Sequence, residues 1–438
     1  MKQLDLQDAV NTTRLSKTQW LIFSTCFLVI LSDGIDTGLI GYIAPMLMDD
    51  WQINQHALRP VMSAALVGMC LGALGAGVLA DYLGRKWVVI ASVVIFASFT
   101  FATALAHNVS ELILYRFLTG LGLGAALPNA ATLVAEYMPK ACRAWMVNLL
   151  FCALPLGMTL GGVISAYLLT DYGWRSVLYV GALIPFLVAV MALFSLKESL
   201  HILLKKNQMG ALKQIIQSIQ GKDFIQNTEW ITYTAPSVAQ QPVKMVTGPL
   251  LLPSILMWIC CFMSLLVFYV LTSWMPTLLK QANYSPEQFS LIAAIFPFGG
   301  VLGTIALGWC MDRFNPSLTI SLSYLLSALL FVATGWVMDH IYLVGLLIFC
   351  AGAGIVGAQS SLPALAAMFY PAACRGVGVS WMHGLGRLGA ILGAFFGALI
   401  FSLELTFAQI FWLLAIPVFI AALAIALKYH AIKRQVIH

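Results

Sequence analysis

Twelve apolar runs, each long enough to cross a bilayer, constrain this chain more than any other feature. A hydrocarbon core about 30 Å thick takes roughly 17 to 25 apolar helical residues to span. Such runs extend from about 20 to 44, 61 to 79, 87 to 106, 112 to 135, 144 to 169 and 176 to 196, and again from 251 to 274, 289 to 309, 318 to 337, 341 to 368, 376 to 401 and 407 to 427. With 61% of 438 residues hydrophobic and 9% charged, the composition excludes an ordinary soluble domain. Backbone in lipid must satisfy its own hydrogen bonds, so the expected fold is an all-α membrane protein of twelve transmembrane helices. The first run is too long for a cleavable signal and lacks a small-residue exit, so it is expected to stay as a helix.

Charge sets the orientation. Arg85, Lys86, Lys140, Arg143, Lys197, Lys205, Lys206, Arg313, Arg375 and Lys428 fall on one side of the runs, and only Arg59, Arg175 and Lys280 fall on the other. The positive-inside rule then puts both termini and the long central loop in the cytoplasm of a bacterial inner membrane. The net charge of +6 sits in loops beside anionic lipid and calls for no nucleic acid. The nine cysteines have no metal-ligand spacing and read as small apolar fillers.

The runs repeat. Pro139-Lys140-Ala141-Cys142-Arg143 returns as Pro371-Ala372-Ala373-Cys374-Arg375, which starts 232 residues later, and the same offset carries Gly120 to Gly352, Gly122 to Gly354 and Gly157 to Gly389. Asp81 is matched by Asp312. This predicts two pseudo-symmetric six-helix halves, 1–196 and 251–438, joined by a cytoplasmic loop over 197–250. Transporters that work by moving one half against the other are built this way. The repeat fails at Arg116, which falls on Ile348, and at Arg387, which falls on Pro155. A charge confined to one half inside an apolar helix needs a local reason.

Charges within the runs are therefore the candidates for chemistry. Arg387 lies twelve residues after Arg375, roughly 18 Å along a helix and so near mid-membrane. Its planar fork of donors suits a carboxylate; a structural ion pair across the bundle is the competing reading, and pairing with Asp36 in the empty site fits both. Asp33 and Asp36 share a helix face at similar depth. Two desolvated carboxylates on one face raise each other's pKa, which suits one of them to load and release a proton. Asp33 bonding backbone beside Gly34 is the alternative. His383, one turn before Arg387, is a candidate to bond a cargo hydroxyl, to relay a proton or simply to pack. On the charged-loop side, Asp81, Arg85 and Arg143, with Asp312 and Arg375 as their counterparts in the repeat, are expected to gate. Asp81 is expected to accept bonds from a helix N-terminus and from Arg85. Neither a phosphate-binding loop nor a metal cluster is visible, so no cofactor is implied.

Gly77-Val78-Leu79-Ala80-Asp81-Tyr82-Leu83-Gly84-Arg85-Lys86 resembles the signature of the major facilitator superfamily, with Gly308 to Arg313 as a weaker second copy. Arg116 followed by Gly120, Gly122 and Gly124 is similar to the fourth-helix motif of that superfamily. Asp33-Gly34-Ile35-Asp36-Thr37, Ser273-Trp274-Met275-Pro276-Thr277 and Gly384-Leu385-Gly386-Arg387-Leu388-Gly389 look like the aromatic acid:proton symporter family. The chain departs from that family's usual run after the sixth helix, reading Lys197-Glu198-Ser199-Leu200-His201. The resemblance implies the major facilitator fold and proton-coupled import of a small aromatic carboxylate by alternating access, by a monomer in the lipid bilayer. It also implies coupling or gating roles for Arg116 and Glu136. An aromatic cargo needs rings to hold it, and Tyr269, Trp274, Phe296, Phe298 and Trp381 are the candidates. A non-aromatic acid of muconate or quinate type, export, or sensing without transport are the competing functions.

Overall fold

In a computed structural model of the chain, residues 3–5, 10–11, 15–220, 230–232, 246, 248, 250–337, 340–371, 374–403 and 405–437 are described. The long helices are α1 (Lys17–Trp51), α2 (Gln55–Leu83), α3 (Arg85–Ala104), α4 (Val109–Tyr137) and α5 (Arg143–Ser195). Two short ones follow, α6 (Leu200–Lys205) and α7 (Met209–Gln220). The second series is α8 (Leu251–Gln281), α9 (Pro286–Arg313), α10 (Pro316–Thr334), α11 (Ile341–Phe369), α12 (Arg375–Ser402) and α13 (Phe407–Ile437). Short strands β1 (Gln3–Asp5) and β2 (Trp230–Thr232) pair in parallel.

Ten of these helices are long and apolar enough to cross a membrane. One of the ten, α5, crosses twice: 53 residues of unbroken helix would reach about 80 Å, and the chain turns at Gly173, where φ is 74° and ψ is 173°. With α12, a glycine-rich helix of 28 residues, the twelve expected crossings are present. The helix starts follow their capping residues. Asn108 accepts from the Glu111 N–H, Ser285 and Gln288 form a capping box ahead of Pro286, and Asn315 caps α10 before Pro316.

The repeat read from sequence is also a repeat of packing. A Cβ on Gly122 would meet Ser92 and Phe96 of α3, and a Cβ on Gly354 would meet Ser323 and Ser327 of α10, the corresponding helix of the second half. At Gly122 the close neighbours are backbone atoms of α3, and at Gly354 the closest is the Ser327 hydroxyl, so both crossings favour the smallest residue.

Two compact contact units partition the chain. The first comprises residues 1–36, 67–157 and 178–236. Its core joins Ile30 of α1, Phe96 of α3, Leu133 of α4, Leu150 of α5 and Ile216 of α7. Here α1 and α5 touch reciprocally, Gly34 against the Leu154 carbonyl and Gly157 against the Leu31 carbonyl. The second unit comprises residues 37–66, 158–177 and 237–438. In it α9 packs on α11, α8 on α12 and α10 on α13.

Candidate functional site

In the first unit, Asp33, Asp36 and Arg116 are at most 1% exposed. Arg116 donates from Nη1 to both Asp36 oxygens, at 3.3 and 3.1 Å, and the Thr100 hydroxyl donates to Oδ1 of the same carboxylate. Asp36 is thus held by two helices at once, α3 through Thr100 and α4 through Arg116. The sequence allowed Asp36 to pair with Arg387 in the empty site; in the structure its carboxylate meets Arg116, eighty residues away along the chain. The Arg116 Nε is buried with no hydrogen-bond partner among the described residues. Asp33 is one turn earlier on α1. A buried pair of this kind is expensive to break, because removing either member strands the other charge in a low-dielectric interior.

A second cluster gathers where α2 ends and α3 begins. Arg85 forms an ion pair with Glu136 at the end of α4, and Glu136 also accepts from the Ser199 hydroxyl at 2.6 Å and lies 3.3 Å from His201 Nδ1. Gly84 precedes α3 with φ of 113° and offers no capping side chain. Glu198 supplies the cap instead. Its Oε1 accepts from the Lys86 N–H at 3.2 Å, and a Cβ on Gly84 would strike this carboxylate. A left-handed φ and a carboxylate overhead both require glycine here. Arg85, expected beside Asp81, therefore turns to Glu136, and Asp81 itself is exposed. Arg143 donates from Nε to the Met138 carbonyl at 3.3 Å, closing the end of α4. In the second unit Asp312 is exposed and Arg313 stacks on Trp309 at 4.0 Å. Arg375 opens α12, and its side chain lies outside the described residues.

The second unit carries the remaining candidates. Arg387 is half-buried on α12 and His383, one turn earlier, is exposed. Gly389 packs on Phe262 and Gly393 on Leu266, so α8 and α12 run alongside in register. Gly386 then abuts Cys261, whose sulfur accepts from Gln359 Nε2 of α11 at 3.6 Å. Gln359 Oε1 is buried with no partner among the described residues. Trp381 meets Trp258 at 5.6 Å. The same register carries Tyr269 roughly two and a half turns, about 13 Å, past Arg387. Trp274 is fully buried, donating to the Ala394 carbonyl at 2.8 Å and covering Gly397. Phe296 is buried against Phe268, and Phe298 is exposed beside Phe349. Cys261, and through it Gln359, thus lie near the level of Arg387, while Trp258 meets Trp381 some six residues, about 9 Å, before it on α12. Gln359 escaped the sequence reading because an amide in an apolar helix carries no charge to mark it.

The far end of this unit is latched. The Lys280 ammonium, at the end of α8, pairs with Asp49 and donates to the Pro45 carbonyl at 3.0 Å near the end of α1. Gly41 lies against the Thr272 carbonyl, and the Tyr42 hydroxyl donates to the Met158 carbonyl at 3.1 Å. Among the described residues no group of three or more His, Cys, Asp or Glu is placed to hold a metal.

Two repeated sets of six crossings, charges buried in mid-helix and charge clusters at the helix ends define a membrane transporter. The chain belongs to the Major Facilitator Superfamily, whose profile matches residues 26–285 and 257–436. It is 44% identical over 431 residues to the 4-hydroxybenzoate transporter PcaK of Pseudomonas aeruginosa, covering 98% of this chain and 96% of that one. To the gallate transporter of Pseudomonas putida it is 38% identical over 429 residues, again covering 98% and 96%. A crystal structure of a D-xylose–proton symporter shares the fold, with a TM-score of 0.72 at 16% identity over 93% of this chain and 97% of that one.

Proposed function

We propose that this protein imports a small aromatic carboxylate of the hydroxybenzoate class together with a proton. The observation that carries the reading is near-full-length similarity to transporters named for 4-hydroxybenzoate and gallate. Both named cargoes are hydroxylated aromatic acids. In this reading Arg387 takes the cargo carboxylate, whose two oxygens match the guanidinium fork. Gln359 Oε1, an acceptor with no partner among the described residues, receives a ring hydroxyl, and Trp258 and Trp381 supply apolar ring faces.

Proton coupling is assigned to Asp36 and Arg116, with Asp33 beside them. Protonation of Asp36 removes the charge that holds Arg116, which loosens α1 from α4 and biases the conformational equilibrium. Cargo anion and proton together are neutral, so loading both adds no net charge to the interior. Alternating access then follows from the halves 1–196 and 251–438 rocking about the loop 197–250. Lys280 and Asp49 hold one end shut and Arg85, Glu136 and Glu198 brace the other. Both termini face the cytoplasm of the bacterial inner membrane, and the monomer is the working unit.

Thermal stabilisation of the purified protein by a panel of acids tests the cargo. 4-Hydroxybenzoate and gallate are expected to raise Tm in wild type and to leave Arg387→Ala unmoved. Stabilisation by quinate or muconate in preference to either aromatic acid contradicts this reading.

A further inference from the structure

A pocket of about 390 Å³ opens beside the junction of α2 and α3, wholly within the first contact unit. Three ammonium groups line it, those of Lys86, Lys197 and Lys206. Two are fixed in place by helix ends. Lys86 Nζ donates to the Leu193 carbonyl at 2.9 Å in the last turn of α5, and Lys206 Nζ donates to the Tyr82 carbonyl at 2.8 Å in the last turn of α2. An ammonium carries three donors, so each of these bonds leaves two for another acceptor. Lys197 and Glu198 both lie within electrostatic reach of Lys86. Glu198 is the single carboxylate in the lining, and its Oε1 already accepts from the backbone N–H groups of Lys86 and Ser199, at 3.2 and 2.8 Å. Three cations against one engaged carboxylate leave the pocket with surplus positive charge.

One side of the pocket, at the ends of α2 and α5, is apolar and exposed, while Gln208 and Gln214 line the other. Leu83 and Trp87 belong to the lining, and Leu79, Tyr82 and Phe194 continue the exposed surface along the ends of α2 and α5. The Lys86 ammonium lies 5.6 Å from the Trp87 ring centre, a pairing of indole and cation suited to the level where lipid headgroups begin. A cationic recess that opens on a lipid-facing apolar wall has a two-part complement, an anionic head and hydrocarbon tails.

We propose that this pocket is a binding site for the phosphate headgroup of an anionic phospholipid, with its acyl chains lying along the exposed residues of α2, α3 and α5. Phosphate oxygens supply the acceptors the ammonium groups lack, and basic recesses at helix ends bind such headgroups. The site shares Glu198 and the Gly84 turn with the Arg85–Glu136 cluster, so the bound lipid braces the junction between α2 and α3. The proposal does not depend on the identity of the cargo.

Native mass spectrometry of the purified full-length protein tests it, comparing phosphatidylglycerol with phosphatidylcholine of the same acyl chains. Wild type is expected to retain phosphatidylglycerol roughly tenfold or more over phosphatidylcholine. The Lys86→Gln/Lys197→Gln/Lys206→Gln variant is expected to lose that preference, and the triple arginine variant to keep it. A Tm within a few degrees of wild type shows the glutamine variant to be folded; should it fail to fold, each single glutamine variant is expected to lose part of the preference. Equal retention of both lipids by wild type, or an undiminished preference in the glutamine variants, overturns the proposal. Displacement of phosphatidylglycerol by equimolar glycerol 3-phosphate also overturns it, because the site would then serve a soluble anion.

Discussion

Arg116 reaches from α4 to within 3.1 Å of the Asp36 carboxylate on α1, and neither side chain is more than 1% exposed. Removing one partner from such a pair costs about 3–5 kcal/mol, mostly through the charge left behind. Asp36→Asn and Arg116→Ala should each lower Tm and abolish concentrative uptake. The double variant Asp36→Asn/Arg116→Gln should recover much of the lost stability without recovering uptake. Melting curves and vesicle uptake on the same preparations separate the two effects; a double variant that still concentrates cargo would remove this pair from proton coupling.

The cluster at the start of α3 is less deeply buried, with the Arg85 side chain 21% exposed and that of Glu136 7%. Its contribution to stability is correspondingly smaller, about 1 kcal/mol once solvent screening is allowed for. Glu136→Gln should leave the protein folded and slow uptake several-fold, since Arg85, Ser199 and His201 converge on that one carboxylate. Arg85→Gln should have nearly the same effect, and the pair of substitutions should add little to either alone. Strictly additive losses in uptake rate would show that the two residues act separately.

Asp49 is 60% exposed and Lys280 32%, so solvent screening holds the contribution of their pairing to stability below about 1 kcal/mol. Its effect should appear in access rather than in melting. In a background lacking the native cysteines, Asp49→Lys should raise labelling of a Thr272→Cys variant by a membrane-impermeant maleimide several-fold. Adding Lys280→Asp should return labelling toward its starting level. Unchanged labelling in the repelling variant would mean that Gly41 and Tyr42 close this end without the ion pair.

Gln359 offers a discriminating test of cargo recognition. A buried acceptor without a partner costs about 1–3 kcal/mol, and a ring hydroxyl relieves that cost where an unsubstituted ring does not. Gln359→Leu should weaken 4-hydroxybenzoate binding about tenfold while leaving benzoate within about twofold, as read by isothermal titration. Equal weakening of both acids would restrict Gln359 to packing against Cys261.

The architecture was legible from sequence because its causes are local or periodic. Run length gave the crossings, and the Pro139 and Pro371 motifs gave the repeat that Gly122 and Gly354 express as packing. Residue counts along a helix put Asp36 and Arg387 near mid-membrane as an expectation. Partnership was not legible. Which charge meets Asp36 depends on how α1, α3 and α4 rotate against each other, so Arg116 and Thr100 emerged only in the structure. The departure at Lys197-Glu198-Ser199 was visible as a departure, but its meaning was not. Glu198 caps α3 and Ser199 donates to Glu136 across more than sixty residues of chain. Trp274 marked a family motif and proved to be buried against α12, because a sequence cannot distinguish an aromatic ring that packs a helix crossing from one that lines a pathway.

Uptake of labelled 4-hydroxybenzoate into proteoliposomes under an imposed inward proton gradient, with and without a protonophore, tests the central claim most directly. Wild type is predicted to concentrate the acid only while the gradient stands. Arg387→Ala is predicted to lose both uptake and binding, and Asp36→Asn to lose concentration against a gradient. Accumulation that persists after the protonophore, or that survives in Asp36→Asn, would contradict the account.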